Sequence, residues 1–219
     1  MLSKLKQWWQ AIVEYFKVHW RPVAVGAGGL FGLIVIVFGG EAALSTTTFC
    51  TSCHSMSYPY EELQESAHYG RFGFEPQCKD CHIPQGLGNF HKAVYTHVVD
   101  GARELYLELV NDYSTLEKFN ERRQEMAHHA RMNLKGWDSV TCRDCHQDPQ
   151  PAAKSGQRAH KKLDEGWTCI DCHQNLVHAP VEHTDLDASE RRGEMVIMEE
   201  IDWTDRNPLA GVETRSVRN

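Results

Sequence analysis

The eight cysteines of this 219-residue chain fall without remainder into four C-x-x-C-H motifs: Cys50/Cys53/His54, Cys78/Cys81/His82, Cys142/Cys145/His146 and Cys169/Cys172/His173. No thiol is left for a disulfide or a nucleophile, and a histidine after every second cysteine is the attachment pattern of c-type haem. Zinc also uses paired C-x-x-C units, but it does not require those histidines. The pattern therefore predicts four covalent haem c groups, each held by two thioethers with the motif histidine as an axial ligand. Four macrocycles supply much of the interior that a domain this size otherwise builds from apolar side chains. The expected fold is all-α: short helices and loops around cofactors, behind one N-terminal membrane helix.

Residues 22–40, PVAVGAGGLFGLIVIVFGG, carry no charge over 19 positions. That is about the length of a helix that crosses a hydrocarbon core. A cleaved signal peptide is the competing reading, with Gly40-Glu41-Ala42 as a small-x-small site, but its apolar run is usually shorter. Lys4, Lys6, Lys17 and Arg21 precede the span, which orients the N-terminus to the cytoplasm and the haem domain to the periplasm. Upstream, Leu5, Trp8, Trp9, Ile12, Val13, Phe16 and Trp20 recur at helical spacing and read as an amphipathic helix in the membrane interface. The organisation is then residues 1–21 interfacial, 22–43 anchor, 44–180 tetrahaem domain and 181–219 acidic tail. The tail holds ten acids against five arginines. It reads either as a steering surface for a basic partner or as a solvated disordered segment. Ala24, Gly28 and Gly32 form a small-residue face suited to packing in a homo- or hetero-oligomer. With a net charge of -7, no surface is basic enough for nucleic acid.

The motifs stand 28, 64 and 27 residues apart, first cysteine to first cysteine. Short, long, short means two pairs. His68 lies 18 residues after Cys50, and His160 lies 18 after Cys142, so the halves repeat as two dihaem units. His68, His160 and His178 are the candidate distal ligands, three for four irons. The first haem is the one left without a distal histidine, and there His54 and Met56 compete as the ligand. Between the pairs, Val94, Val98, Leu105 and Leu109 predict a helix over 90–110. Ser114 and Glu117 predict the capped start of a second, stopped by Gly136.

In this combination the chain resembles the membrane-anchored tetrahaem cytochromes of the NapC/NirT group, with NrfH and CymA as relatives. The resemblance rests on the anchor, the motif spacing, Ser66-Ala67-His68, His160 and Leu176-Val177-His178-Ala179. It implies electron transfer between the quinone pool and a periplasmic redox enzyme or multihaem cytochrome. It also implies Met56 in place of His54 on haem 1, His178 on haem 2, His160 on haem 3 and His68 on haem 4. GGEAALS, CKDCHIPQG and DGARELYLELVNDYSTLEKFNERR look similar to the tetrahaem membrane cytochromes of ammonia-oxidising bacteria. That likeness implies flow from hydroxylamine oxidation into ubiquinone, the reverse of NapC. Family members often carry lysines after motif two, whereas FHKAVYTHVVDGARELY has Lys92 with His91 and His97.

Quinol or quinone turnover, with ubiquinone or menaquinone, needs an iron near the membrane and a group that handles protons. Methionine ligation raises a haem potential, which suits haem 1 for accepting electrons. Glu104 is the proton candidate, with His97 and Asp100 behind it on one helical face. A carboxylate at the interface titrates higher through desolvation, and the competing reading pairs Glu104 with Arg103 on a wet surface. The other function class is a catalytic multihaem reductase acting on a small nitrogen compound at haem 1. The anchor and the pairing of motifs argue against it, since such reductases need a lined substrate cavity.

Overall fold

The computed structural model describes residues 2–147 and 149–198. Among them there is no strand, only an isolated antiparallel bridge between Thr184 and Ile197. The first helix, α1, runs from Leu2 to Leu44, with one break in helical geometry at His19. Pro22, three residues on, explains the kink: it has no N–H for the carbonyl of Val18, and its ring crowds that carbonyl. The kink falls at the expected boundary between interfacial stretch and anchor, yet the helix is continuous across it. From Lys4 to Leu44 it is long and apolar enough to cross a membrane.

The helices that follow are short: α2 (Thr47–Cys50), α3 (Ser57–Glu65), α4 (Cys78–His82), α5 (Phe90–Tyr95), α6 (Gly101–Val110), α7 (Leu116–Gly136), α8 (Val140–Cys145), α9 (Lys154–His160), α10 (Cys169–Cys172) and α11 (Leu186–Arg192). The helix expected over 90–110 is interrupted by a π-helical turn, Thr96–Asp100. The cap expected at Ser114 belongs to Thr115, whose Oγ1 accepts from Lys118 N at 3.3 Å. Ser114 is instead held by its own N–H on Asp112.

Two compact units result among the described residues, 2–57 with 76–111, and 58–75 with 112–198. The first carries motifs one and two, the second motifs three and four. In the first, the end of α1 is docked by a stack of Phe38 on Phe90, ring centres 4.4 Å apart. In the second, Phe119 packs between Tyr58 and Tyr113 under the guanidinium of Arg123, which forks onto Glu62 at 2.8 and 2.6 Å. Such bidentate pairs are the stronger kind of ionic contact.

The expected boundary at 180 is not where this unit ends, and a disordered reading does not hold for residues 181–198. Arg131, 3% exposed, donates to the Glu182 carbonyl. Thr184 and Gln174 exchange two hydrogen bonds of 2.9 and 2.7 Å. Asp185 caps α11, Gly193 ends it in a left-handed turn, and Lys135 bridges Asp171 and Asp187. Residues 199–219 of the acidic tail lie outside the described residues. Leu186 is 2% exposed, so Leu186→Ala should cost about 2–5 kcal/mol. Chemical denaturation followed by far-ultraviolet circular dichroism checks this, and a loss below half a kilocalorie would mean that the segment is only loosely laid on the surface.

Candidate functional site

The cysteine pairs of motifs two, three and four lie within single short helices: Cys78 and Cys81 in α4, Cys142 and Cys145 in α8, Cys169 and Cys172 in α10. Two sulfurs three residues apart in a helix share a face. Motif one departs from this. Cys50 is the last residue of α2, whereas Cys53 lies beyond it in extended backbone and leads into the next turn (φ -82°, ψ 135°). Its carbonyl accepts from Met56 N at 3.1 Å. The first pair is therefore presented by a helix end and the loop after it, not by one helical face. None of the eight cysteines is in a disulfide. Cys50, Cys53, Cys78, Cys142 and Cys169 are half-buried, while Cys81, Cys145 and Cys172 are exposed.

Cys50 and Cys78 are in side-chain contact: the hydrogen bond to Cys78, then burial, pushes the Cys50 thiol up, while the same bond draws Cys78 down to about 6. Motifs one and two are thus side by side. The contact runs through the first cysteine of each motif, with Cys81 on the exposed side of α4. Motifs three and four are likewise neighbours, for burial and then the nearby Cys169 raise the Cys142 thiol. Ser139 joins them. Its backbone is left-handed (φ 49°), a strained state for serine, and its fully buried hydroxyl accepts from Ile170 N at 3.2 Å.

The residues fit haem c. Among the described residues no three His, Cys, Asp or Glu side chains are gathered to hold a bare metal ion. The buried apolar side chains of the described residues number few: Leu63, Ile83, Ala93, Tyr113, Phe119, Ile170 and Leu186, a thin core for a domain this size. The three candidate distal histidines all lie in the second unit. A metal-binding imidazole usually has its other nitrogen held by a carbonyl or carboxylate. His160 Nδ1 is held by the carbonyl of Pro149 at 3.2 Å. His178 Nδ1 lies 3.6 Å from Glu62, and burial lowers the pKa of His178, which keeps the imidazole neutral. His68 has a buried Nδ1 without a protein partner. The His160 and His173 rings meet edge to face with centres 6.3 Å apart, so His160 stands beside the histidine of motif four; the resemblance gives it to the third haem.

At motif one, His54, Ser55 and Met56 form a 3-10 turn. Ser55 is 1% exposed and both its hydroxyl and its N–H donate to Glu108, at 2.5 and 3.5 Å. The sequence gave no sign of this role for Glu108, because its partner lies 53 residues away. The turn that presents both competing ligands is thereby fixed from α6.

The three proton candidates do not form one cluster. Glu104 pairs with Arg103, as its competing reading has it. Asp100 is buried, at 8% exposed. His97 donates from Nδ1 to Glu41 at 2.7 Å, and Ser45 holds the other oxygen of Glu41 at 2.9 Å. Glu41 lies in the last turn of α1, where the helix dipole disfavours a carboxylate; the pairing with His97 offsets that. His97 and Asp100 both sit in the π turn, a feature frequent at functional sites.

The NapC/NirT cytochrome c family, N-terminal region, matches residues 15–183. A probable tetraheme cytochrome c-type protein of Nitrosomonas europaea is 67% identical over 178 residues, 80% of this chain and 76% of its own. The NapC protein of Haemophilus influenzae is 35% identical over 182 residues, 80% of this chain and 88% of its own. The TorY protein of Escherichia coli O157:H7 is 39% identical over 171 residues, 71% of this chain but 46% of its own length. No solved structure matches.

Removing the Glu108 carboxylate should loosen the His54–Met56 turn and leave the Ser55 hydroxyl unpaired, at about 1–3 kcal/mol. Glu108→Ala should alter the electron paramagnetic resonance signal of the first haem and leave the other three as they are, with Glu108→Gln milder. An unchanged first-haem signal would show that the turn holds itself.

Proposed function

Because the chain belongs to the NapC/NirT cytochrome c family, membrane-anchored tetrahaem proteins that link the quinol pool to periplasmic reductases, we propose that it exchanges electrons with quinone beside motif one, at the membrane edge. One observation carries this reading: the membrane-length helix ends six residues before Cys50 and is tied by Glu41–His97 and Phe38–Phe90 to the segment after motif two. A cut after Ala42 would remove Glu41 from that pair, which favours a retained anchor over a signal peptide. The lysines and arginine before the span favour a cytoplasmic N-terminus and haems in the periplasm.

In this reading the eight cysteines hold four haem c groups: Cys50 with Cys53, Cys78 with Cys81, Cys142 with Cys145 and Cys169 with Cys172. His82, His146 and His173 are proximal ligands, with Met56 in place of His54 at the first. The first haem would be held by a helix end and the loop after it, and the His54–Met56 turn fixed by Glu108 presents both candidate ligands. His160, which stands beside His173, His68 and His178 would be the distal ligands. Bound haem supplies one-electron carriers. Quinone reduction takes two electrons and two protons, and the chain's own part is to manage the protons. Glu41 holds Nδ1–H of His97, which fixes the tautomer and leaves Nε2 as the exchanging nitrogen. Asp100 stands behind it in the π turn, and Glu104, neutralised by Arg103, is the less direct candidate. The likeness to the cytochromes of ammonia oxidisers favours flow into ubiquinone, with a periplasmic multihaem cytochrome as donor.

Stopped-flow mixing of pre-reduced, lipid-embedded protein with ubiquinone should oxidise the haems rapidly. Glu41→Gln should slow this about tenfold or more and shift its pH profile, within the range general acid–base groups contribute, while Glu41→Asp restores most of the rate. Fast reduction by quinol with no oxidation by quinone would reverse the direction, and inertness to both would end the reading. Separately, His160→Ala should convert one low-spin haem of the second pair to high spin; four unaltered haems would remove His160 from the ligands.

A further inference from the structure

The stretch from α5 to α6 is amphipathic in the wrong sense for a protein surface in water. Its polar side chains point into the first unit: Asp100 is 8% exposed, His97 is 12% exposed on its bond to Glu41, and Glu108 holds Ser55. Its apolar side chains point out. Tyr95, Val98, Val99, Leu105, Tyr106 and Leu109 recur at helical spacing and are 46–77% exposed. Val98, Leu105 and Leu109 are among the side chains whose periodicity predicts the helix over 90–110, and no core covers them. A contiguous outward stripe of this kind marks a protein or membrane contact.

We infer that this stripe lies in the lipid bilayer, in the headgroup and upper acyl region of the leaflet from which α1 emerges. Continuity selects lipid over a protein partner. The same segment is fastened to the last turns of the membrane helix through Phe38–Phe90 and Glu41–His97, so the stripe begins where the bilayer ends. Its composition agrees, with two tyrosines among branched aliphatics, since tyrosine is enriched at the membrane interface and a helix with one apolar face settles there. The π turn rotates His97 and Asp100 inward while Val98 and Val99 stay outward, so that proton-handling groups and lipid-facing groups share five residues. A quinone headgroup moving in the leaflet would then meet His97 from the side, without leaving the bilayer. This placement depends on the anchored reading above but not on the direction of electron flow.

The test uses the full haem-loaded chain in liposomes containing a phospholipid with a diazirine in its acyl chain, illuminated and mapped by peptide mass spectrometry. Lipid adducts are expected on the peptide spanning Tyr95–Leu109 as well as on α1. A Leu105→Glu, Leu109→Glu variant should lose them at least fivefold on that peptide and keep those on α1. Adducts confined to α1 would overturn the inference while leaving the anchor intact. Absence from α1 too would overturn the anchored reading itself. In a parallel sample with a photoreactive amino acid at Tyr106 in place of the labelled lipid, cross-links from this stretch to a second copy would assign the stripe to a protein interface and likewise overturn it.

Discussion

Four pairs of thiols, each gathered at a turn of helix or its edge, decide where everything else in the chain can go. The spacings of 28 and 27 residues bring the first cysteine of one motif beside the first of the next: Cys50 against Cys78, Cys142 near Cys169. Apart from α7, at 21 residues, the helices between them are short, as spacers around that arrangement. Strain is accepted at Ser139, where the left-handed turn of motif three is fixed by a hydrogen bond to the backbone of motif four. Long-range polar contacts do the remaining work of fixation that an apolar core does in an ordinary domain of this size.

Those contacts share a pattern. Glu41 holds His97, Glu62 meets His178 and Arg123, and Glu108 holds Ser55 beside His54 and Met56. In each case a carboxylate from one element orients a group, or the backbone next to a group, that chemistry would use. An oriented imidazole with one nitrogen committed and the other available is what both metal binding and proton exchange demand. In the proposed function the same device would serve two different roles in the two units.

What could be read in the sequence was local or periodic. C-x-x-C-H spacing, the uncharged run at 22–40 and the duplicated His68 and His160 all carry their signal within a few residues or a fixed repeat, and the family match agrees with the first two. Identical spacing nonetheless hid a difference in backbone: Cys81 closes a helical turn with Cys78, while Cys53 stands outside the helix that ends at Cys50. The π turn was not legible, since one extra residue in a helical turn leaves no mark on composition. Glu41 and Glu108 were missed because their partners are 56 and 53 residues away. The tail was misjudged for a related reason: acidity suggested solvation, yet Asp185 and Asp187 are spent on a helix cap and on Lys135. Periodicity correctly found the apolar side of α5 and α6, but periodicity cannot say whether that side meets protein or lipid.

The junction after α1 carries a kinetic meaning of its own. Only Ser45 and Thr46 separate α1 from α2, and neither is loose: Ser45 bonds Glu41, and Thr46 caps α2 through Phe49 N. A redox domain on a slack leash sweeps a volume and meets its reactants by three-dimensional diffusion. Here the leash has no swivel, so in the proposed reading the first motif is carried at a fixed height and orientation over the lipid. Its encounters with a membrane-dissolved quinone would then become a planar search, governed by lateral crowding and membrane viscosity in place of tether length.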